Sequence, residues 1–313
     1  MTPARQAIPK IFFLGSYNEG LTIRVPRMPA LGESLPGDSF DMGPGGKGSN
    51  QAIAAARLGA QVSLLACVGD DIFADRALQL YAREGIAADK VHRLRGAHTG
   101  IGFVNVLPDG ENWITVDLGA NLLMTADHAR DCEALIRGSD IVMAQFEAPP
   151  APVAETMALG RAHGKLTICN PAPARSVDPA MFADVDILTP NATEARILLG
   201  LPPGDPSPTE ALARRLLDSG AGTVIVTLGE RGALIVSRDG ATHIPALAID
   251  AVDVTGAGDS FNAALAVFLG EGLSIEAAVR RAVVSGAYTA TRLGVIDGLP
   301  TRAEYERFAA ATR

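Results

Sequence analysis

Cysteine is scarce in this chain. Only Cys67, Cys132 and Cys169 occur in 313 residues, far apart and without a C-x-x-C pair. An odd number of scattered cysteines argues against both a disulfide framework and a zinc site. Long apolar runs are missing too. The block Ile11–Leu14 has the length of a strand and is too short for a signal sequence or a membrane span. We therefore expect a cytoplasmic protein that contacts no membrane.

Positive charge is also in short supply. Lys and Arg number 27 against 35 Asp and Glu, a formal net charge of -8, and the sequence contains no basic run. Nucleic acid is therefore not expected as a partner. Any polyanionic ligand has to be held locally, by backbone dipoles and a few cations. With 48% hydrophobic and 20% charged residues, the chain can form a large core, and disorder is not expected.

Apolar blocks of strand length alternate with helical segments along most of the chain. The blocks lie at 11–14, 62–69, 141–144, 166–169 and 224–227, and their composition is typical of strands buried on both faces. This alternation predicts an α/β fold with a mostly parallel sheet covered by helices on both faces. No repeat or linker marks a second domain, so residues 1–313 are predicted to form a single domain.

Two stretches break this rhythm. Residues 20–43 and 99–118 alternate apolar and polar residues between prolines and glycines, and Pro108-Asp109-Gly110 has the composition of a hairpin turn. We expect the two stretches to pair as a small separate sheet. This sheet would form a β lid over the rest of the molecule, built from about residues 18–43 and 98–119.

The segment 253–261, DVTGAGDSF, places small residues directly before an apolar helical run. Small residues at such a point leave the N–H groups of a helix N-terminus free to bind phosphate. Asp259 then has two interpretations. It is either a helix cap, the usual role of Asp at this position, or a general base beside an anion site.

The glycine-rich segment 43–50, GPGGKGSN, nominally matches the G-x-G-x-x-G fingerprint of dinucleotide-binding folds. We reject that interpretation because the fingerprint belongs at the end of the first core strand, which lies well upstream. A Walker A loop is excluded because Gly48, not Ser or Thr, follows Lys47. Two alternatives remain. The segment is either a turn that opens a helix capped by Ser49 or Asn50, or a backbone cradle for a polyhydroxylated ligand.

Polar residues follow several of the predicted strands. Glu147 comes after 141–144, Asn191 and Glu194 after 187–188, and Thr227 ends 224–227. Because the carboxyl ends of parallel strands line the ligand site of α/β folds, we expect these residues to share one edge of the sheet. Asn191 and Glu194 also have the spacing of a capping box and, taken alone, would be interpreted as structural.

The segments 45–52 (GGKGSNQA) and 253–261 resemble the two signatures of the ribokinase-like (PfkB) carbohydrate kinase family. Shorter segments at 15–18, 170–175, 189–195 and 226–229 are similar to the same family in the same order, so the resemblance extends almost from end to end. It implies a ribokinase-like three-layer sandwich with a central, mostly parallel sheet and a small β lid. It also implies ATP-dependent phosphorylation of a hydroxymethyl group on a small sugar.

The resemblance implies catalytic and sugar-binding roles. Asp259 is expected to be the general base that takes the proton of the attacking hydroxyl. The amides of Gly256, Ala257 and Gly258 are expected to form the anion hole for the transferred phosphoryl group. The residues expected to hold the sugar are Asn18, Gly46, Lys47, Gly48, Asn50, Glu147 and Asp259.

The resemblance also implies sites for the nucleotide and for cations. Residues expected to contact ATP are Asn191, Thr227, Leu228, Gly229, Glu230, Gly232 and Gly258. Mg²⁺ is expected with ATP, its bound waters oriented by Asn191 and Glu194. A monovalent cation, K⁺ in the family, is expected beside the anion loop, at Asp253, Thr255, Thr289, Arg292, Gly294 and Gly298.

Two positions depart from the family pattern. Gly20 stands where sugar kinases of the family carry an Asp that binds adjacent hydroxyls, so we expect ribose to bind weakly. The neighbouring Glu19 would point to the opposite face of a strand. Gly298 stands where a serine is typical at the end of the cation loop.

Several alternatives stay open at this point. The acceptor is a ribose-like sugar, another sugar or a nucleoside, and a non-catalytic sugar- or nucleotide-binding sensor on the same scaffold is a further possibility. We also expect the open face of the lid to be apolar and to join two copies of the chain in a homodimer.

Overall fold

A computed structural model describes residues 8–108 and 112–312 of the chain. Within these residues the strands form two sheets, one of nine strands and one of four. In chain order the strands are β1 (Lys10–Leu14), β2 (Asn18–Arg24), β3 (Ser39–Gly45), β4 (Gln61–Val68), β5 (Ala87–Arg93), β6 (Gly100–Val106), β7 (Asn112–Asp117), β8 (Ile141–Gln145), β9 (Leu166–Asn170), β10 (Ile187–Leu188), β11 (Thr223–Thr227), β12 (Ala233–Ser237) and β13 (Gly240–Ile244).

Helices connect most strands of the large sheet. In chain order they are α1 (Lys47–Arg57), α2 (Ile72–Arg83), α3 (Ala126–Arg130), α4 (Glu133–Gly138), α5 (Pro150–Ala162), α6 (Ala192–Leu198), α7 (Thr209–Asp218), α8 (Ala257–Gly270), α9 (Ile275–Ala290), α10 (Val295–Gly298) and α11 (Arg302–Ala311). None of these described helices is both long and apolar enough to cross a lipid bilayer.

The large sheet has the strand order β13-β12-β11-β10-β9-β8-β1-β4-β5, and only the pairs β11–β12 and β12–β13 are antiparallel. Strand β1, which lies between β8 and β4, is buried on both faces. Ile11 and Phe13 belong to one hydrophobic cluster, together with residues of α1, α8 and α9. Phe12 and Leu14 belong to a second cluster, together with residues of α5 and α7. The predicted three-layer α/β sandwich is therefore confirmed.

The small sheet has the strand order β3-β2-β6-β7, in which β2 and β6 are parallel. The two alternating stretches of the sequence thus pair with each other, as expected for the lid. The predicted hairpin between β6 and β7 is present. Of its predicted turn Pro108-Asp109-Gly110, the last two residues lie outside the described residues.

Side chains alternate between the two faces of the lid. Asn18, Gly20 and Thr22 of β2 share one face. We call it the underside, because Asn18 there donates to Glu147, which follows β8 of the large sheet. The opposite, outer face is apolar and exposed. It carries Leu21, Ile23, Phe40, Met42, Phe103 and Trp113.

Some elements differ from the sequence-based expectation. Strand β5 was not expected, because at the edge of the sheet its residues are only half buried and lack a continuous apolar run. The C-terminal helix α11 was missed for a similar reason, since only Tyr305 in it is buried. A cap at Ser49 or Asn50, one interpretation of the segment 43–50, would start helix α1 too late in the chain. The helix begins at Lys47, because Gly46 has φ +94° and serves as the N-cap.

Candidate active site

The N-terminus of α8 lies at the carboxyl edge of the large sheet. Gly256 is its N-cap with φ +80°, a left-handed conformation that favours glycine. The N–H of Ala257 donates to the carbonyl of Val254 at 3.2 Å. Among the described residues, the N–H groups of Gly256 and Gly258 have no protein acceptor. The loop therefore presents free amides for an anion, although the amide of Ala257, expected among them, is engaged in the turn.

Asp259 lies in the first turn of α8 and is buried. Its carboxylate accepts hydrogen bonds from two side chains of α1. The Nδ2 of Asn50 donates to Oδ2 at 2.8 Å, and the Nε2 of Gln51 donates to Oδ1 at 3.0 Å. The helix cap is Gly256, so Asp259 does not act as the N-cap of α8. The carboxylate instead points toward α1, into the space beside the free amides.

A chain of buried amides fixes this arrangement. Gln51 also donates to Asn170 Oδ1 at 3.0 Å and accepts from Gln145 Nε2 at 2.7 Å. Gln145 and Asn170 end the neighbouring strands β8 and β9. Hydrogen bonds to the ends of two strands therefore fix the side chain of Gln51, which in turn orients the Asp259 carboxylate. Sequence reasoning missed Gln51 and Gln145, although a glutamine that opens the apolar run of α1 is a usable signal for a buried polar contact.

Glu147, after β8, is buried and accepts three hydrogen bonds at one oxygen. Donors to its Oε2 are the Ser16 hydroxyl at 2.6 Å, the Lys47 backbone N–H at 2.8 Å and the Asn18 side-chain amide at 3.3 Å. The other oxygen, Oε1, has no partner among the described residues. Burial raises the pKa of Glu147, while the nearby Lys47 ammonium opposes this effect. One carboxylate oxygen therefore remains available to a ligand.

Asn121 positions the Asn18 side chain. Its Nδ2 donates to Asn18 Oδ1 at 3.0 Å, so the amide nitrogen of Asn18 faces Glu147. Asn121 is buried and follows β7 in a short 3₁₀ helix. Sequence reasoning did not identify it, because its partner lies on a strand far away in the chain.

Two glycines bring α1 against the end of β1. A Cβ on Gly48 would lie 2.2 Å from the Gly15 Cα, and a Cβ on Gly46 would lie 2.9 Å from the Asn18 nitrogen. Glycine is thus required at both positions for backbone contact. Ser49 does not cap α1 but donates to the Ser16 carbonyl. The segment therefore opens a helix, with Gly46 at its N-cap instead of Ser49 or Asn50. The N–H groups of Lys47, Gly48 and Ser49 donate to protein acceptors, so the backbone cradle for a ligand stays a prediction.

Lys47 lies among three carboxylates. The negative charge of Asp259, followed by the charges of Glu147 and Glu194, raises its pKa against the opposing effect of burial. No carboxylate of the described residues lies within 4 Å of its ammonium group. The ammonium is therefore attracted to the site without being fixed in an ion pair, and it can bind a ligand phosphate or hydroxyl.

Asn191 and Glu194 form the capping box of α6. The N–H of Glu194 donates to Asn191 Oδ1, and the N–H of Asn191 donates to Glu194 Oε2, both at 2.8 Å. Burial raises the pKa of Glu194, and the charges of Lys47 and Asp259 also act on it. The pair therefore has its structural role as a capping box, and Glu194 lies near enough to Lys47 and Asp259 for their charges to affect its pKa. A role of the pair in binding magnesium stays a prediction.

A cavity of about 550 Å³ adjoins the anion loop. Thr227, Gly229, Glu230 and Gly232 line one side of it, and the rest of its wall is mostly apolar, with Phe261 and Val283 among its residues. Leu228 does not line the cavity but packs against the core. The size and apolar lining suit a heterocyclic base, with Gly258 at the end nearest Asp259.

The residues of the expected cation loop lie together. The Asp253 carboxylate accepts from the N–H groups of Thr255 at 2.9 Å and Gly294 at 3.1 Å. A Cβ on Gly298 would lie 3.5 Å from both the Thr289 Cγ2 and the Arg292 Cβ. The Thr289 hydroxyl is buried and has no partner among the described residues.

The sequence profile described as pfkB family carbohydrate kinase matches residues 9–302. The chain belongs to the pfkB family of carbohydrate kinases. It is accordingly an ATP-dependent sugar kinase, and the non-catalytic sensor on the same scaffold is not supported.

Individual relatives of this pfkB family kinase agree over almost their whole length. A ribokinase from Haemophilus influenzae is 36% identical over 94% of this chain and 96% of its own. A deoxyribokinase from Salmonella typhi is 34% identical over 95% and 98%. Among solved structures, a ribokinase from Thermotoga maritima has a TM-score of 0.88 at 31% identity, covering 97% of this chain and 100% of its own. An Arabidopsis thaliana ribokinase complexed with ribose and ATP has a TM-score of 0.89 at 26% identity, covering 96% and 99%.

Replacing Glu147 by Gln tests the cost of burying this carboxyl group in the kinase. In the folded protein the pKa of Glu147 is raised above its ordinary value of 4.5, whereas in the unfolded protein it is not. The free energy of unfolding of wild type therefore falls as the pH rises from 4.5 through the raised pKa. Glutamine does not titrate. We expect the melting temperature of Glu147→Gln, relative to wild type, to rise by roughly 2–4 °C between pH 4 and pH 8. Thermal unfolding across this range measures it.

The exposed Glu210 on α7 provides the control, because Glu210→Gln removes a carboxyl group without relieving burial. If the difference in melting temperature between Glu147→Gln and wild type does not change with pH, the pKa of Glu147 is not raised. Sugar affinity should fall in the same variant, since the charged oxygen offered to the ligand is lost.

Proposed function

We propose that the protein transfers the γ-phosphoryl group of ATP to a hydroxymethyl group of a small sugar, with Asp259 as the general base. The observation that carries this proposal is the Asp259 carboxylate, held by Asn50 and Gln51 beside free amides at the N-terminus of α8. A base and an anion site in contact are the two parts that phosphoryl transfer to an alcohol requires.

The reaction follows from this placement. The hydroxyl oxygen of the sugar attacks the γ-phosphorus as Asp259 takes its proton. The bond between the γ-phosphorus and the bridging oxygen breaks, and its electron pair leaves with ADP. The free amides of Gly256 and Gly258 stabilise the charge on the transferred group, and the Lys47 ammonium adds a positive charge close to Asp259.

The sugar hydroxyls would bind to acceptor oxygens that have no hydrogen-bond partner within the described part of the protein. Asn50 Oδ1 is buried and has no partner among the described residues. Glu147 Oε1 offers a second acceptor, while Asn18 is fixed beside it by Asn121. Two acceptors that the protein leaves unpaired suit the hydroxyls of a carbohydrate.

The donor set fits the cations that such a kinase uses. Glu194 has one carboxylate oxygen outside its capping bond and lies near Lys47 and Asp259, so with Asn191 it would hold the waters of Mg²⁺. Mg²⁺ supplies neutralisation of the phosphate charge when bound. The unpartnered Thr289 hydroxyl and the Asp253 carboxylate would hold K⁺ near the anion loop, together with Thr255, Arg292, Gly294 and Gly298.

We propose that the whole chain acts as one kinase domain, because the site takes Asn18 from the lid strand β2 and Asp259 from α8. We also propose a homodimer formed through the outer face of the lid. Apolar side chains exposed side by side on one sheet face are typical of a protein interface. A cytoplasmic location agrees with three free, buried cysteines.

Asp259→Asn tests the base. We expect kcat to fall by roughly 10²–10⁴-fold with the fold retained, because the amide cannot accept the proton. ADP release from ATP, across a panel of pentoses, hexoses and nucleosides, measures kcat, and circular dichroism checks the fold. Asp239→Asn in the exposed β12–β13 turn is the matched control. An unchanged kcat for Asp259→Asn contradicts its role as base.

Asn191→Ala and Glu194→Ala test the magnesium role. We expect the Mg²⁺ concentration for half-maximal activity to rise several-fold while the KM for the sugar changes less. Both variants also lose a cap, worth about 0.5–2 kcal/mol. The control is the capping box of α11, which Thr301 and Glu304 form. Thr301→Ala and Glu304→Ala remove a capping box of the same kind far from the site. If both pairs only lower the melting temperature, Asn191 and Glu194 have no magnesium role.

Phe103→Lys tests the dimer. Phe103 lies 53% exposed on the outer face of the lid, where a lysine would have to be buried between two copies. We expect wild type to sediment as a dimer at about 10 µM, a concentration at which an interface of standard size is largely formed, and Phe103→Lys as a monomer. Leu31→Lys, at an exposed apolar residue outside the lid strands, is the control. A fully active wild-type monomer at this concentration contradicts the proposal.

A further inference from the structure

Three glycines lie side by side on the underside of the lid. Gly20 of β2 pairs with Gly43 of β3 on one side and with Gly102 of β6 on the other. Because paired residues of neighbouring strands share a face, the three positions form one row across the sheet. Val116 of β7 continues the row. We call Gly43, Gly20 and Gly102 the glycine row.

Backbone conformation does not require glycine at any position of this row, and packing does not require it at Gly43 or Gly102. None of the three has a positive φ. A Cβ on Gly43 would meet nothing within 4 Å, and one on Gly102 would meet only the Val116 Cγ2 at 4.0 Å. A Cβ on Gly20 would lie 3.2 Å from the Gly43 carbonyl oxygen. Glycine weakens a strand interior, and the fold does not require it at Gly43 or Gly102. Two such glycines on either side of Gly20 indicate close approach of a ligand.

The row lies directly beyond the sugar site. Asn18, which bonds Glu147, precedes Gly20 by two positions on the same face of β2, a distance of about 6.6 Å along the strand. The next row outward places Asp41 opposite Thr22 and Val104 opposite Ile114. A slot therefore extends from the sugar toward the outer edge of the lid, with bare backbone as its floor.

The side chains around the slot suit a flat, weakly hydroxylated group. Val116 and Ile114 are about half exposed and lie at its β7 side. Asp41 and Thr22 offer polar atoms only at the far end. Glu19 does not reach the slot, because it is fully buried and accepts hydrogen bonds from the Tyr17 hydroxyl and Arg76. Glu19 therefore does not replace the Asp that sugar kinases of the family carry at the position of Gly20.

We propose that the glycine row binds a planar substituent on the sugar, at the end remote from the reacting hydroxymethyl group, so that the substrate class is a nucleoside and not a free pentose. The inference rests on the proposed function, because it takes Asn18 and Glu147 to hold the sugar ring. A flat ring can lie on the exposed peptide planes and contact Val116 and Ile114. A free pentose leaves this surface in water and gains no charged bond at Gly20.

Binding measurements on the intact protein test the slot separately from catalysis. Calorimetric titrations with ribose, methyl β-ribofuranoside, uridine and adenosine form a series with a growing anomeric substituent. We expect the two nucleosides to bind wild type at least about tenfold more tightly than ribose. Gly102→Val and Gly43→Val place a branched side chain in the slot, and valine is favoured in strands, so the lid should be retained.

In both variants we expect nucleoside affinity to fall by about tenfold or more, with ribose affinity changed by less than about threefold. The matched control is Thr115→Val, which adds a branched apolar side chain to the outer face of the same sheet. Equal affinity of wild type for ribose and the nucleosides overturns the inference, and so does equal weakening of every ligand in Gly102→Val. Selective nucleoside binding without ADP release from ATP supports the slot and contradicts the proposed function.

Discussion

The site depends on one close contact between backbones, where Gly48 of α1 lies against Gly15 and Ser16 at the end of β1. No side chain fits between them, since a Cβ on Gly48 would lie 2.2 Å from the Ser16 nitrogen. This contact brings the first turn of α1 to the carboxyl edge of the sheet. From there its backbone reaches Glu147, and its next residues, Asn50 and Gln51, reach Asp259. The groups that we propose to hold the sugar and to accept its proton are therefore placed by the same helix.

The electrostatics of the site follow from this placement. One lysine faces three carboxylates in a partly buried space, and burial raises the pKa of two of them, Glu147 and Glu194. Burial of these carboxylates destabilises the protein without ligand. Hydrogen-bond donors offset part of this cost, as at the Glu147 Oε2. A loss of stability at the groups that we propose to bind hydroxyls and phosphate is typical of enzyme sites.

The sequence predicts the parts that local pattern determines. The continuous apolar run of β1, the lid stretches and the Asp253–Phe261 loop could be recognised because neighbouring residues define them. Contacts between distant segments could not be predicted. Gln51 gives no sign of its bond to Asp259, and the alignment of Gly20 with Gly43 and Gly102 depends on strand register. The start of α1 at Lys47 could not be predicted either, because the left-handed φ of Gly46 results from its packing.

The parallel pairing of β2 with β6 has a consequence for folding. Asn18 is hydrogen-bonded alongside Gly100, and the chain between them builds β3, α1, β4, α2 and β5. The two inner strands of the lid, β2 and β6, therefore cannot pair early as a local hairpin. Their pairing has to await the collapse of much of the large sheet, which brings their ends within reach. The lid should accordingly be the last sheet to gain protection from hydrogen exchange during refolding, and the first to lose it when the molecule opens locally.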